Sequence, residues 1–110
     1  MSEYNPESWV IIKIINDKTD KVLYKVFGSW RGNFVNSDSW RLNSGITRVG
    51  EQENLYIFSG ESGSSYYCFK KGEGSPMGSY NTSVLGQLMN QLNSKDGITA
   101  MVVKAKEIQL

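Results

Sequence analysis

The commonest general base and the commonest metal ligand are missing together from this sequence, because it contains no histidine. Its single cysteine, Cys68, therefore has no imidazole to activate it, and one thiol with carboxylates alone makes a poor zinc set. Five acids, Asp38, Glu51, Glu53, Glu61 and Glu73, are the candidates for the paired carboxylates of sugar hydrolysis. Most of them fall in stretches that read as turns, where solvated acids are ordinary. Ser-Lys chemistry lacks an S-x-x-K beside any pocket signal. The run GESGS, residues 60–64, has Ser64 where a nucleophile elbow needs glycine. KGEGSPMGS, residues 71–79, has glycines but no lysine-serine ending, so it is no phosphate loop. No cofactor and no metal is expected, and a carboxylate hydrolase is the remote alternative to a non-enzymatic role.

The remaining chemistry is recognition. The tripeptide Ser-Trp-Arg occurs twice, ten residues apart, at Ser29-Trp30-Arg31 and Ser39-Trp40-Arg41. Trp and Arg carry much of the energy at protein interfaces, so Trp30, Arg31, Trp40 and Arg41, with Arg48 beyond them, are the candidate partner-binding residues. Neighbours along a strand point to opposite faces, and the packing expectation is that each Trp faces in while each Arg faces out. The interface expectation places Arg31, Arg41 and Arg48 on one accessible side. A second cluster, SYYCFKK, offers Tyr66, Tyr67 and Phe69 beside Lys70 and Lys71, the ingredients of a single-stranded nucleic-acid platform. Against it stand the nearby acids Glu61 and Glu73 and the lack of positive charge that phosphate binding wants.

The charge balance supports that objection. Twelve Lys and Arg meet eleven Asp and Glu, for a net charge of +1, with +2 in residues 1–50, −2 in 51–80 and +1 in 81–110. Neither a polybasic stripe nor an acidic mimic of DNA is present. A lone cysteine excludes an internal disulfide framework and fits a reducing, cytoplasmic setting. MSEYNPES lacks the basic and apolar regions of a signal peptide, and WVII, cut short by Lys13, is too brief to span a membrane.

The elements that must hold these residues are mostly strands. Ile and Val number 16 and aromatics 13, whereas Ala occurs twice; Ser, Gly and Asn together reach 34, so turns should be frequent. Residues 1–7 read as a flexible start, and 8–110 as one globular domain. Trp9–Ile15 and Val22–Phe27 flank the polar NDKTDK as a hairpin. Both runs are apolar on both faces: Val10, Ile12 and Ile14 oppose Trp9, Ile11 and Ile15. Such strands are covered on both sides or curl around a core. GSWRGNFVNSD reads as a loop with Phe34-Val35 tucked in. Trp40, Leu42 and Ile46 share a parity, interrupted by Asn-Ser-Gly as a short hairpin loop or a bulge with Gly45 at positive φ. NLYIFSG and SYYCFKK form a second hairpin, and GEGSPMGS a loop.

One helix stands out, capped at Thr82 or Ser83, with Val84, Leu85, Leu88, Met89 and Leu92 as its apolar stripe and Gly97 as its terminating glycine. Gly86 within it suggests that a strand approaches closely. ITAMVVKAKEI then closes the chain as a final strand beside an early one. The expected fold is α+β: an antiparallel sheet of about five to seven strands, one C-terminal-half helix packed on one face, and a last strand. One helix cannot cover both faces of such a sheet. The uncovered aromatic and Arg-bearing face should curl into a shared core, bind a protein partner, or self-associate. The expected function is thus a small non-enzymatic interaction protein, of the sort that serves as an accessory protein of bacteria or their mobile elements. The alternative is a single-stranded nucleic-acid-binding domain.

Overall fold

The structure, a computed structural model, describes residues 2–32 and 37–110. Along these residues run strands β1 (Glu3–Tyr4), β2 (Ser8–Asn16), β3 (Lys21–Trp30), β4 (Ser39–Leu42), β5 (Ile46–Glu51), β6 (Leu55–Gly60) and β7 (Ser65–Phe69), then helix α1 (Ser79–Asn93) and strand β8 (Ile98–Val103). The class is α+β, with antiparallel pairing dominant and one α-helix among the described residues. The number of sheets departs from expectation. Among the described residues there are two, each four-stranded, in the orders β4-β3-β2-β8 and β1-β7-β6-β5.

The doubly apolar hairpin explains why two sheets form. On β2, Trp9 and Ile11 enter a core with Tyr24, Val26, Ile46, Phe58, Tyr66, Cys68 and Ala105, between the sheets. On its other face, Val10, Ile12 and Ile14 join Phe27, Leu42 and Ala100 beneath the helix. The stripe Val84, Leu85, Leu88, Met89 and Leu92 packs there as its spacing predicts. The layers are therefore helix, helix-bearing sheet and second sheet, and β2 is covered on both faces by its own chain.

Asn-Ser-Gly is neither a hairpin loop nor a bulge. It carries the chain from β4 in one sheet to β5 in the other, so Leu42 packs under the helix and Ile46 between the sheets despite their shared parity. Asn43 is buried and fixes this crossover. Its amide donates to the Val26 carbonyl at 3.1 Å, and its side-chain Oδ1 accepts the Val26 N–H at 2.8 Å, standing in for a strand carbonyl. Gly45 follows at φ 148°, where a Cβ would lie 2.8 Å from Leu23 Cδ1.

The N-terminal stretch expected to be flexible carries a strand. Glu3 and Tyr4 pair parallel with Ser65 and Tyr66, and the Ser65 amide donates to the Ser2 carbonyl. Pro6 is buried, close enough to Gly28 that a Cβ on that glycine would lie 3.0 Å from Pro6 Cβ. The expected tucking of Phe34-Val35 lies outside the described residues.

The helix begins earlier than Thr82 or Ser83, because Asn81 fastens its first turn to the sheet. Asn81 Nδ2 donates to Ser29 Oγ at 2.8 Å and to the Ser39 carbonyl at 2.7 Å, with Gly78 at the N-cap. The helix ends at a Ser94 cap. Gly97 instead sits at φ 78° in the turn into β8 and accepts the Asp17 amide. No strand approaches Gly86: a Cβ there would meet nothing within 4 Å, and the residue is exposed. Gly86→Ala should consequently raise stability by about 0.5–1 kcal/mol, read as a higher urea midpoint with an unchanged slope. The final strand pairs with β2 as expected, then stops at Val103, after which a 3₁₀ turn, Ala105–Glu107, inserts Ala105 into the inter-sheet core.

Candidate functional site

The two Ser-Trp-Arg copies meet across one pair of strands. In the β3–β4 register, Ser29 opposes Trp40, Trp30 opposes Ser39, and Gly28 opposes Arg41. Each indole thus has a small residue across from it, and the two indoles leave opposite faces of the sheet. Trp40 goes to the helix side and stacks on Phe27, with centroids 5.6 Å apart and planes at 11°. It still exposes 41% of its surface, so the expectation that each Trp faces in fails there. The reason is position: β4 is the edge strand of its sheet. Trp30 goes to the other side, edge-on to Tyr4 at 6.4 Å, with Nε1 donating to the Asn5 carbonyl at 3.0 Å.

Arg41 shares that side. Its guanidinium carbon lies 4.4 Å from the centroid of the Tyr4 ring, within cation–π range. Tyr4, Trp30, Ser39, Trp40 and Arg41 line one open cavity of about 440 Å³ where the edges β4 and β1 come together. Among the described residues no carboxylate lies within ion-pair distance of Arg41. Arg31 is just past β3, where its amide donates to Glu7 at 2.6 Å and its Nη2 reaches the Pro76 carbonyl at 3.4 Å. Arg48 does not join them. It pairs with Ser59 on the outer face of the second sheet, so the three arginines do not share one side.

The aromatic and lysine cluster is divided by the strand period. Tyr66 is 1% exposed and belongs to the core, where burial pushes its phenol up to about 12, opposed by the nearby Arg41 charge. It cannot serve as a stacking platform. Tyr67 and Phe69 turn outward, and Phe69 is 41% exposed. Lys70 Nζ is held by Glu51 at 2.6 Å and lies 5.2 Å from the Tyr56 centroid; the hydrogen bond to Glu51 raises its pKa. Lys71 is exposed, with Glu53 lining the same cavity. Cys68 is fully buried, and burial first, then Glu73, pushes its thiol up, which makes it a poor nucleophile or redox sensor.

The five acids are dispersed. Glu51 holds Lys70, Glu73 accepts the Ala105 amide at 2.7 Å, and Asp38 accepts the Gly32 amide at 3.0 Å. Glu53 and Glu61 lie in turns at opposite ends of β6. No group of three or more His, Cys, Asp and Glu among the described residues is placed to hold a metal ion. No helix of the described residues is long and apolar enough to cross a membrane.

Comparison with protein-family models, curated proteins and solved structures found no match for this chain. The site therefore rests on its own geometry. Sequence reasoning missed Tyr4, which contributes the ring under Arg41, because a two-residue strand has no periodicity to read. The one available signal was an aromatic within an otherwise polar start.

Proposed function

We propose that the protein is a non-enzymatic binding module that engages a protein partner at the β4 edge, through Trp30, Trp40, Arg41 and Tyr4. The observation that carries this reading is Arg41, a guanidinium with no carboxylate partner among the described residues, set on the Tyr4 ring in a cavity that both tryptophans line, at an edge that no other described strand pairs. Interface energy concentrates in such Trp, Tyr and Arg clusters.

The backbone adds a second component. The Asn43 amide bonds the Val26 carbonyl, so in the antiparallel alternation Arg41 also faces β3, and the backbone groups of Trp40 and Leu42 point away from it. An extended segment can add to that edge, with an acidic side chain on Arg41 and apolar ones on the indoles. The buried thiol fits a cytoplasmic setting, where it stays reduced.

Selection from a displayed random-peptide library tests the reading. Enriched peptides should carry Asp or Glu within a β-prone run. Arg41→Ala or Trp40→Ala should weaken the best of them by at least about 30-fold, whereas Arg48→Ala should not. The alternative reading draws on Tyr67, Phe69 and Lys71 sharing one surface. Salt-sensitive binding of single-stranded oligonucleotides, lost in Tyr67→Ala and Lys71→Ala but kept in Arg41→Ala, would replace the peptide reading with the nucleic-acid one.

A further inference from the structure

The outer face of the second sheet has no covering layer from the described residues. The registers arrange it in rows across β5, β6, β7 and β1. The first row reads Arg48, Ser59, Ser65, Glu3; the next outward row has Gly50, Ile57 and Tyr67; the last has Leu55 and Phe69. The intervening rows point inward, as the burial of Phe58, Tyr66 and Cys68 requires. Ile57, Tyr67, Leu55 and Phe69 belong to neither core, so the face is an apolar square with a polar row at one end.

We infer that this face pairs with a second copy of the same chain, about a two-fold axis that runs along the strands between β6 and β7. The charges argue for the occupant. Arg48 and Glu3 stand at opposite ends of one row, about 14 Å apart at the usual strand spacing. A two-fold placed there sets Arg48 over the partner's Glu3, and Glu3 over the partner's Arg48. The same operation carries Lys71, just after β7, toward the partner's Glu53, just before β6. Between these charged ends it sets Ile57 on the partner's Tyr67 and Leu55 on the partner's Phe69, aliphatic against aromatic. One axis thus satisfies both charged ends and the apolar centre, which is the self-complementarity an isologous interface requires. The two-fold leaves the strands of the two sheets aligned, a favoured way for sheets to pack face to face.

The footprint sets the strength. Four strands about 4.8 Å apart and five rows about 3.3 Å apart cover about 300 Å², below the roughly 800 Å² per partner of a stable complex. The dimer is accordingly weak and reversible. It leaves the β4 edge free, so it stands or falls apart from the binding site described above.

Sedimentation equilibrium of the full chain between about 10 μM and about 1 mM should show the average mass climbing toward that of a dimer. Arg48→Glu and Glu3→Arg should each weaken association by about tenfold, through lost attraction and added repulsion at two symmetric places. The double variant, with both charges exchanged, should restore it. Both positions are exposed, so far-UV circular dichroism of the variants should match the wild type. Arg41→Ala should leave the dimer unchanged. A monomer mass throughout, a dimer indifferent to the two reversals, or a double variant that fails to recover while folded would each overturn the assignment.

Discussion

Trp9→Ala should cost most of the protein's stability. Trp9 is fully buried between the sheets, with Phe58 edge-on at 5.4 Å and Tyr56 at 6.0 Å. Truncating a buried aromatic to alanine costs about 3–5 kcal/mol, because the removed surface is lost from the core and a cavity remains. The indole also has a polar duty. Its Nε1 donates to the Phe69 carbonyl at 2.8 Å, and losing this half-buried hydrogen bond adds about 0.5–1.5 kcal/mol. A domain of this size has about 5–15 kcal/mol in hand, so the variant should be largely unfolded or close to it.

The surroundings of Trp9 argue against relaxation into the cavity. Gly72 lies against the indole, and a Cβ there would stand 2.9 Å from the Glu7 carbonyl and 3.2 Å from Trp9 Nε1. The Trp9 carbonyl also accepts the Gly74 amide at 2.8 Å, which ties the loop after β7 to β2. Trp9→Phe separates the two contributions, since it keeps an aromatic ring and removes only the donor and the smaller excess of volume. Urea denaturation followed by circular dichroism should rank wild type, Trp9→Phe and Trp9→Ala in that order. A loss below about 2 kcal/mol for Trp9→Ala would mean that the two sheets are held together elsewhere. By contrast Trp40→Ala, at a half-exposed edge, should cost far less stability, which is what makes it usable as a binding probe.

Trp9 is also where the sequence was most readable. Its run with Val10, Ile11 and Ile12, apolar on both faces, reads as a strand covered on both sides or curled around a core, and both covers exist. The helix stripe was legible for the same reason: periodicity is local. What covers the second face was not, because sheet membership is decided at Asn43, where one side-chain oxygen replaces a strand carbonyl and sends the chain into the other sheet. Propensity carries no record of such a substitution. The site divides likewise. The Trp-Arg pairs were visible as a repeat, and alternation alone puts Trp40 and Arg41 on opposite faces. Their register against each other depends on the β3–β4 pairing, and the Tyr4 ring beneath Arg41 on a parallel pairing with β7 far along the chain. Composition groups Arg48 with Arg31 and Arg41, but it does not specify which sheet a strand enters, and β5 lies in the second sheet.

Tyr66 gives the second large effect, and it appears only at high pH. Burial raises its phenol from 10.0 to about 12, although Arg41 pulls the other way. Between those two values the unfolded chain has released the proton and the folded chain still holds it. The unfolded state then binds fewer protons, so the unfolding free energy falls as pH rises, by up to about 1.4 kcal/mol per unit. The stability associated with the neutral phenol is whole below pH 10 and is lost as pH climbs through 12, for a total of at most about 3 kcal/mol, less to the extent that water screens the hydroxyl. Cys68 acts with the same sign, since burial raises its thiol above the ordinary 9.0. Tyr66→Phe removes the phenol while keeping the ring that packs on Tyr4 at 5.0 Å. Urea midpoints measured at pH 8 and pH 11.5 should fall steeply for the wild type and less steeply for Tyr66→Phe, the remaining slope belonging to Cys68 and ordinary surface groups. Parallel pH profiles for the two proteins would place the phenol in contact with solvent and loosen the edge where Tyr4, Tyr66 and Arg41 meet. That edge is the wall of the proposed binding site, so its rigidity decides whether Arg41 is presented to a partner in one fixed orientation.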